Sequence, residues 1–151
     1  MNQNLTDLFR KKKNQAASAD RIDWDERRNK FVAAVENLYH QIEKILAEPI
    51  EKETVKLSRR NKNLTENYIG TYAVDDLLLV IGDEQVRFSP QGRNIAGSSG
   101  RVDVQGERGE EILIVQADGR WRFVQSRHPT LRVVEFNESS FAEVLELVMR
   151  D

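Results

Sequence analysis

Residues 89–104 read SPQGRNIAGSSGRVDV and place three of the chain's eight glycines within a short span beside Arg93, Arg101, Ser98 and Ser99. Such a grouping raises the question of phosphate chemistry, since consecutive backbone N–H groups and cations can cradle an anion. Gly92 and Gly97 have the four-residue gap of a nucleotide-binding P-loop, but Ser98 occupies the position of the lysine that reaches the phosphates. The segment that follows, RVDV, alternates like a strand, whereas a P-loop must open a helix whose N-terminal N–H groups hold the anion. GSSG also matches a GxxG clamp for single-stranded nucleic acid, yet that clamp joins two helices and no helical pattern flanks it. What remains is an anion nest formed by Gly97, Ser98, Ser99 and Gly100 with Arg93 and Arg101 beside it. The plain structural alternative is a type I turn at Ser89-Pro90-Gln91-Gly92, an extended stretch over 93–96 and a second turn at 97–100.

Other reactive groups are sparse. The chain has no cysteine, which excludes thiol nucleophiles, disulfides and cysteine-ligated metals. His40 and His128 lack the partner spacing of a metal site, so neither a metal nor a cofactor is expected. Asp76 and Asp83 bracket an apolar strand and stand about 23 Å apart at ~3.3 Å per residue. That is too far for a pair of glycosidase carboxylates, which lie within about 10 Å. Asp75, Asp76, Asp83 and Glu84 read instead as turn residues. In GRWRF, alternation sends Trp121 and Phe123 to the core and Arg120 and Arg122 outward, so no aromatic shares the cationic face as single-strand stacking requires. Lys52, Lys56, Arg59, Arg60 and Lys62 are interleaved with Glu51, Glu53 and Glu66, the pattern of a solvated face.

The elements that would position these residues are better defined. With 151 residues and a net charge of −2, the chain suits one domain and carries no global field to steer it to nucleic acid. Residues 1–20 are polar and read as a flexible tail, although Leu5, Leu8 and Phe9 would share one helical turn just before Arg10 to Lys13. Residues 21–151 read as a single α+β domain. Trp24, Phe31, Val35, Leu38, Ile42 and Ile45 recur at steps of three and four, which predicts a long helix over 24–48 capped by Asp20 or Asp23 and stopped by Pro49.

From residue 52 the period becomes two, with strands expected near 53–58, 67–74, 77–81, 84–88, 101–105, 111–117, 120–126 and 130–135. Gly82-Asp83 suits a type II′ hairpin and Asp118-Gly119 a type I′ hairpin, so the strands form an antiparallel β-meander of about six to eight. Leu77 to Ile81 and Ile112 to Val115 are apolar at every position. The sheet must therefore curl into a barrel-like form or be covered on both faces. RVDVQ, in contrast, reads as a strand with one wet face. A C-terminal helix follows, with Phe141, Val144, Leu145 and Val148 on one stripe and Ser140 and Glu143 in a capping-box relation.

The strongest patterns are thus structural, and nothing groups a nucleophile, a base and oxyanion donors. The expected function is a non-catalytic protein-interaction domain. Its partner, or a second copy, would dock on the 24–48 helix through Trp24, Phe31, Val35, Leu38 and Ile42. A small-ligand or anion site at residues 89–101, with or without catalysis, is the second reading, and a weak nucleic-acid contact through Lys52 to Lys62 the third. No stretch approaches the ~20 apolar residues of a membrane span. The N-terminus lacks the apolar core of a secretory signal, and a cytoplasmic protein is expected.

Overall fold

Asp23 opens the long helix as its N-cap, its carboxylate accepting the Glu26 N–H at 2.9 Å. In the computed structural model, which describes residues 2–20, 23–92 and 100–151 and the N-terminal side chains over 4–14, this helix is α2, Trp24–Ile45. Asp25 and Glu26 in its first turn and Lys44 in its last complement the helix dipole. It ends three residues short of the expected boundary because Pro49 has no N–H to give to the Ile45 carbonyl. The chain resumes as one short helix, α3, Ala47–Glu51, with Pro49 in a first turn that needs no such donor. Ahead of them, the segment expected to be a flexible tail is helix α1, Asn2–Asp20. Its Arg, Lys, Gln, Leu and Ala residues are good helix formers along most of its length.

Seven strands follow: β1 Lys56–Glu66, β2 Gly70–Ile81, β3 Glu84–Gly92, β4 Gly100–Gln105, β5 Glu110–Val115, β6 Trp121–Ser126 and β7 Arg132–Glu135. Each pairs antiparallel with its neighbour in sequence, and the order β1 to β7 leaves the sheet open rather than closed into a barrel. Helix α4, Glu138–Val148, ends the α+β fold. Its box is one turn earlier than expected, with Asn137 as the cap. The Asn137 side chain accepts from Ser140 N and the Ser140 hydroxyl from Asn137 N, both at 2.9 Å.

The largest departure from expectation is at Asp75 and Asp76. Instead of turning the chain between two short strands, they lie in the middle of β2, opposite Asn61 and Arg60 of a continuous β1–β2 ladder. Their charge is matched across that ladder. Asn61 donates to Asp75 Oδ1 at 3.1 Å, and Lys62 Nζ lies 2.8 Å from Asp76 Oδ1 while donating to Ser89 Oγ at 2.6 Å. The strand also exchanges its buried face here. Tyr72 and Val74 are buried before this point, and Leu77 and Leu79 after it, as in a coiled strand at the corner of a sheet. Ser89 to Gly92, read as a type I turn, continues β3 instead, with a register shift between Pro90 and Gly92. A bulge of this kind accommodates a proline that cannot donate to the ladder.

Gly82 has φ +63° and Ile81 pairs with Glu84, as the type II′ hairpin requires. The second hairpin differs from expectation. A type I′ turn needs positive φ at both central residues, and of Asp118 and Gly119 only Gly119, at +78°, has it. Gly119 N donates to Gln116 O at 2.9 Å, so residues 116–119 form a type I turn closed by a left-handed glycine. The Asp118 carboxylate accepts the Arg120 N–H at 3.0 Å and the Arg122 guanidinium at 2.8 Å. Those bonds, the Arg122 one foremost, draw the Asp118 pKa from 3.8 down to about 2. A folded-state pKa below the unfolded value means that this interaction is present above pH 4 and lost as pH falls toward 2. A carboxyl ¹³C titration should therefore show Asp118 ionised until about pH 2. In Arg122→Gln the midpoint should return toward the ordinary ~3.9.

One hydrophobic cluster joins α2, α4 and the sheet, with Leu79, Val86, Phe88, Val102, Val104, Leu113 and Phe123 fully enclosed. The outward side of the sheet carries a smaller buried group, Ile112, Ile114 and Val124 with Val133 against them. Leu77 to Leu79 and Ile112 to Val115 are buried on both faces, as their composition demands, whereas Val80 and Ile81 at the end of β2 are half-buried. The outward face of β4 is drier than its alternation suggests, since Asp103 is buried and paired with Arg101.

Candidate functional site

The stripe expected to dock a partner is the inner face of the fold. Phe31, Val35, Leu38 and Ile42 are 2%, 1%, 0% and 0% exposed. Trp24, half-buried, stacks on Tyr68 of the β1–β2 turn with ring centres 5.4 Å apart. This corrects the interaction surface assigned to the 24–48 helix. An amphipathic stripe has the same sequence pattern whether it faces a partner or the chain's own sheet.

Of the loop residues proposed to hold an anion, Arg93, Gly97, Ser98 and Ser99 lie outside the described residues. Gly100 is buried at the start of β4, where a Cβ would come 2.3 Å from the Phe31 ring. Its glycine is required by that close approach of the helix. Arg101 Nε donates to Asp103 Oδ1 at 2.5 Å, so this cation already has a carboxylate. The basic cluster of residues 52–62 is similarly engaged. Arg59 donates to both Glu36 carboxylate oxygens at 2.8 and 2.9 Å and lies 5.2 Å above the Tyr39 ring. Hydrogen bonding to Glu36 raises its pKa further. Lys52 pairs with Glu48 at 2.7 Å and Lys62 with Asp76 at 2.8 Å. Lys56 and Arg60 alone of the five make no ion pair among the described residues. His40 is exposed with Glu43 at 3.5 Å, and His128 is exposed in the loop before β7.

Helix α1 presents the opposite situation. Every described side chain from 4 to 14 is exposed. Leu5, Leu8 and Phe9, at i, i+3 and i+4, are 54%, 48% and 64% exposed, and this spacing puts them on one face. Arg10, Lys11, Lys12 and Lys13 follow at once, with Asp7 the one acid between residues 4 and 14. No ion pair among the described residues engages these four cations. The apolar turn is visible in the sequence, but one turn alone cannot sustain itself. The missed signal was the run of helix formers after it, through Gln15 to Ala17. No helix among the described residues is long and apolar enough to cross a membrane.

Comparison of the chain with protein-family models, with curated proteins and with solved structures returns no significant match.

Proposed function

We propose that this chain is a non-catalytic, cytoplasmic protein-interaction module that docks through α1. Leu5, Leu8 and Phe9 enter an apolar groove on the partner, and Arg10 to Lys13 meet carboxylates at the groove's rim, the helix-in-groove mode of recognition. The observation that carries this reading is a turn with three large apolar side chains, each roughly half exposed or more, on a helix whose described side chains are all exposed. Such exposure costs solvation free energy unless a second surface covers it.

A protein partner fits better than a lipid surface. One apolar turn is short for interfacial burial, and Lys12 interrupts the same face at i+7. An acidic partner fits better than a second copy, whose own Arg10 to Lys13 would be repelled. Nucleic acid is disfavoured because Lys52, Arg59 and Lys62 are paired within the chain. The absence of cysteine suits a reducing compartment.

The reading is tested by capture from an extract with the wild-type chain and two variants, Leu8→Ser/Phe9→Ser and Lys11→Glu/Lys12→Glu. The expected result is one acidic protein whose retention falls with salt and weakens about 30-fold or more in both variants, as removal of a ~2 kcal/mol anchor implies. Retention unchanged in both variants would overturn the reading. So would flotation with phosphatidylserine vesicles or sedimentation as a Phe9-dependent dimer.

A further inference from the structure

A cavity of about 470 Å³ opens between the first half of α2 and the β5–β6 turn. Its floor is apolar, formed by Phe31, Ala34 and Val115. It exists because α2 carries alanines at 33 and 34 where it passes the turn, and because the turn offers Ala117 and Gly119 in return. The Ala34 carbonyl beneath it is already satisfied by Trp121 Nε1 at 2.8 Å.

The polar groups around this floor are biased toward donors. Arg27 and Lys30 contribute two cations, and no carboxylate lines the cavity among the described residues. The Arg27 guanidinium carbon lies 5.1 Å from the centre of the Trp24 ring, which itself stacks on Tyr68, so the cation is placed at the cavity's edge by a cation–π contact before any ligand arrives. Lys30 is paired with Glu26 at 3.3 Å, but both side chains are largely exposed, and such an i,i+4 pair yields readily to a better partner. Asn37 uses its Oδ1 to accept from Gln41 at 2.7 Å, which leaves its amide N–H groups for the cavity. The nearby Asp118 is turned to Arg122 and the Arg120 N–H.

We infer that this cavity binds a small organic anion, a carboxylate or a phosphate or sulfate ester carried on an apolar body. The donors at its mouth supply the anion's acceptors, while the apolar floor takes the body. The volume falls in the range of small-molecule sites and is far more than an inorganic ion fills. This site is independent of docking through α1 and stands or falls separately.

The experiment is an ¹H–¹⁵N titration of the full chain with 2-naphthoate, using 2-naphthamide as the uncharged isostere and inorganic phosphate as the bare anion. Trp121 donates to the Ala34 carbonyl and Trp24 packs against Arg27, both residues of the cavity wall, so the two indole N–H signals report on its lining. Naphthoate should shift both indole signals and the amides of residues 30–37 and 115–119 saturably. Naphthamide should bind at least tenfold more weakly, and phosphate should not saturate over the same range. Lys30→Glu should weaken naphthoate at least tenfold. Ala33→Trp, at an exposed position on the cavity wall, should abolish the shifts while preserving the dispersion of a folded spectrum. Equal binding of naphthamide and naphthoate would overturn the inference. Saturation by phosphate alone, no saturable shift at millimolar naphthoate, or full binding by Ala33→Trp would do the same.

Discussion

Replacing Phe88 by alanine is expected to lower the unfolding free energy by about 3–5 kcal/mol, a large share of the 5–15 kcal/mol typical of such a chain. Phe88 is fully buried on β3, between Leu77 of β2 and Val104 of β4. Its ring stacks on Phe141 of α4 with centroids 6.1 Å apart, and its carbonyl is 3.4 Å from the Tyr39 hydroxyl of α2. One residue thus ties both core helices to the middle of the sheet, through its ring to α4 and through its carbonyl to α2. Truncation would leave a cavity that three different elements would have to collapse together to fill, and close packing resists that. Urea unfolding followed by tryptophan fluorescence checks it. Phe88→Leu, which keeps most of the volume, should recover more than half of the loss. A midpoint for Phe88→Ala within 1 kcal/mol of wild type would mean that Phe88 does not join these elements.

Lys62→Met is expected to cost about 2–4 kcal/mol, because it leaves Asp76 as a buried carboxylate without its cation. Asp76 is 6% exposed and Lys62 Nζ is 2.8 Å from its Oδ1. The pair lies where β2 exchanges its buried face, on the same side as Val74 and Leu78. Replacing both members by apolar groups should therefore be far milder than removing one. Lys62→Met/Asp76→Leu is expected to regain at least half of the single-variant loss, since the pair's attraction is largely offset by its desolvation. A double variant as unstable as the sum of its parts would contradict a direct pairing.

Asp76 also marks the limit of what was legible in the sequence. The long helix, the antiparallel meander, the C-terminal helix and the burial of the two wholly apolar stretches follow from hydrophobic period and turn residues. Asp75-Asp76 has the composition of a turn, and only the cross-strand cations at Lys62 and Arg59 allow it to continue a strand. Those partners sit more than a dozen residues away, and no local window contains them. The same limit applies to Ser89 to Gly92. Its Pro and Gly read as a turn until β4 supplies a partner that fixes a bulge there.

The functional readings divided along similar lines. The α2 stripe is visible in the sequence, but whether a sheet or a partner covers it depends on where the sheet packs. The cavity beside Arg27 and Lys30 joins α2 to residues more than eighty positions later, and its small side chains carry no motif. The apolar turn of α1 was legible as a pattern. Its importance rests on three large apolar side chains that stay roughly half exposed or more.

Docking through α1 is tested most directly by photo-crosslinking from position 9, with p-benzoylphenylalanine replacing Phe9 in cells that express the full chain. An apolar side chain seated in a partner's groove should give one discrete adduct with an acidic protein, and Lys11→Glu/Lys12→Glu should abolish it. Adducts only with lipid or with a second copy of the chain, or none above the level of a photoreactive group placed at exposed Leu131, would contradict docking of a protein partner through this helix.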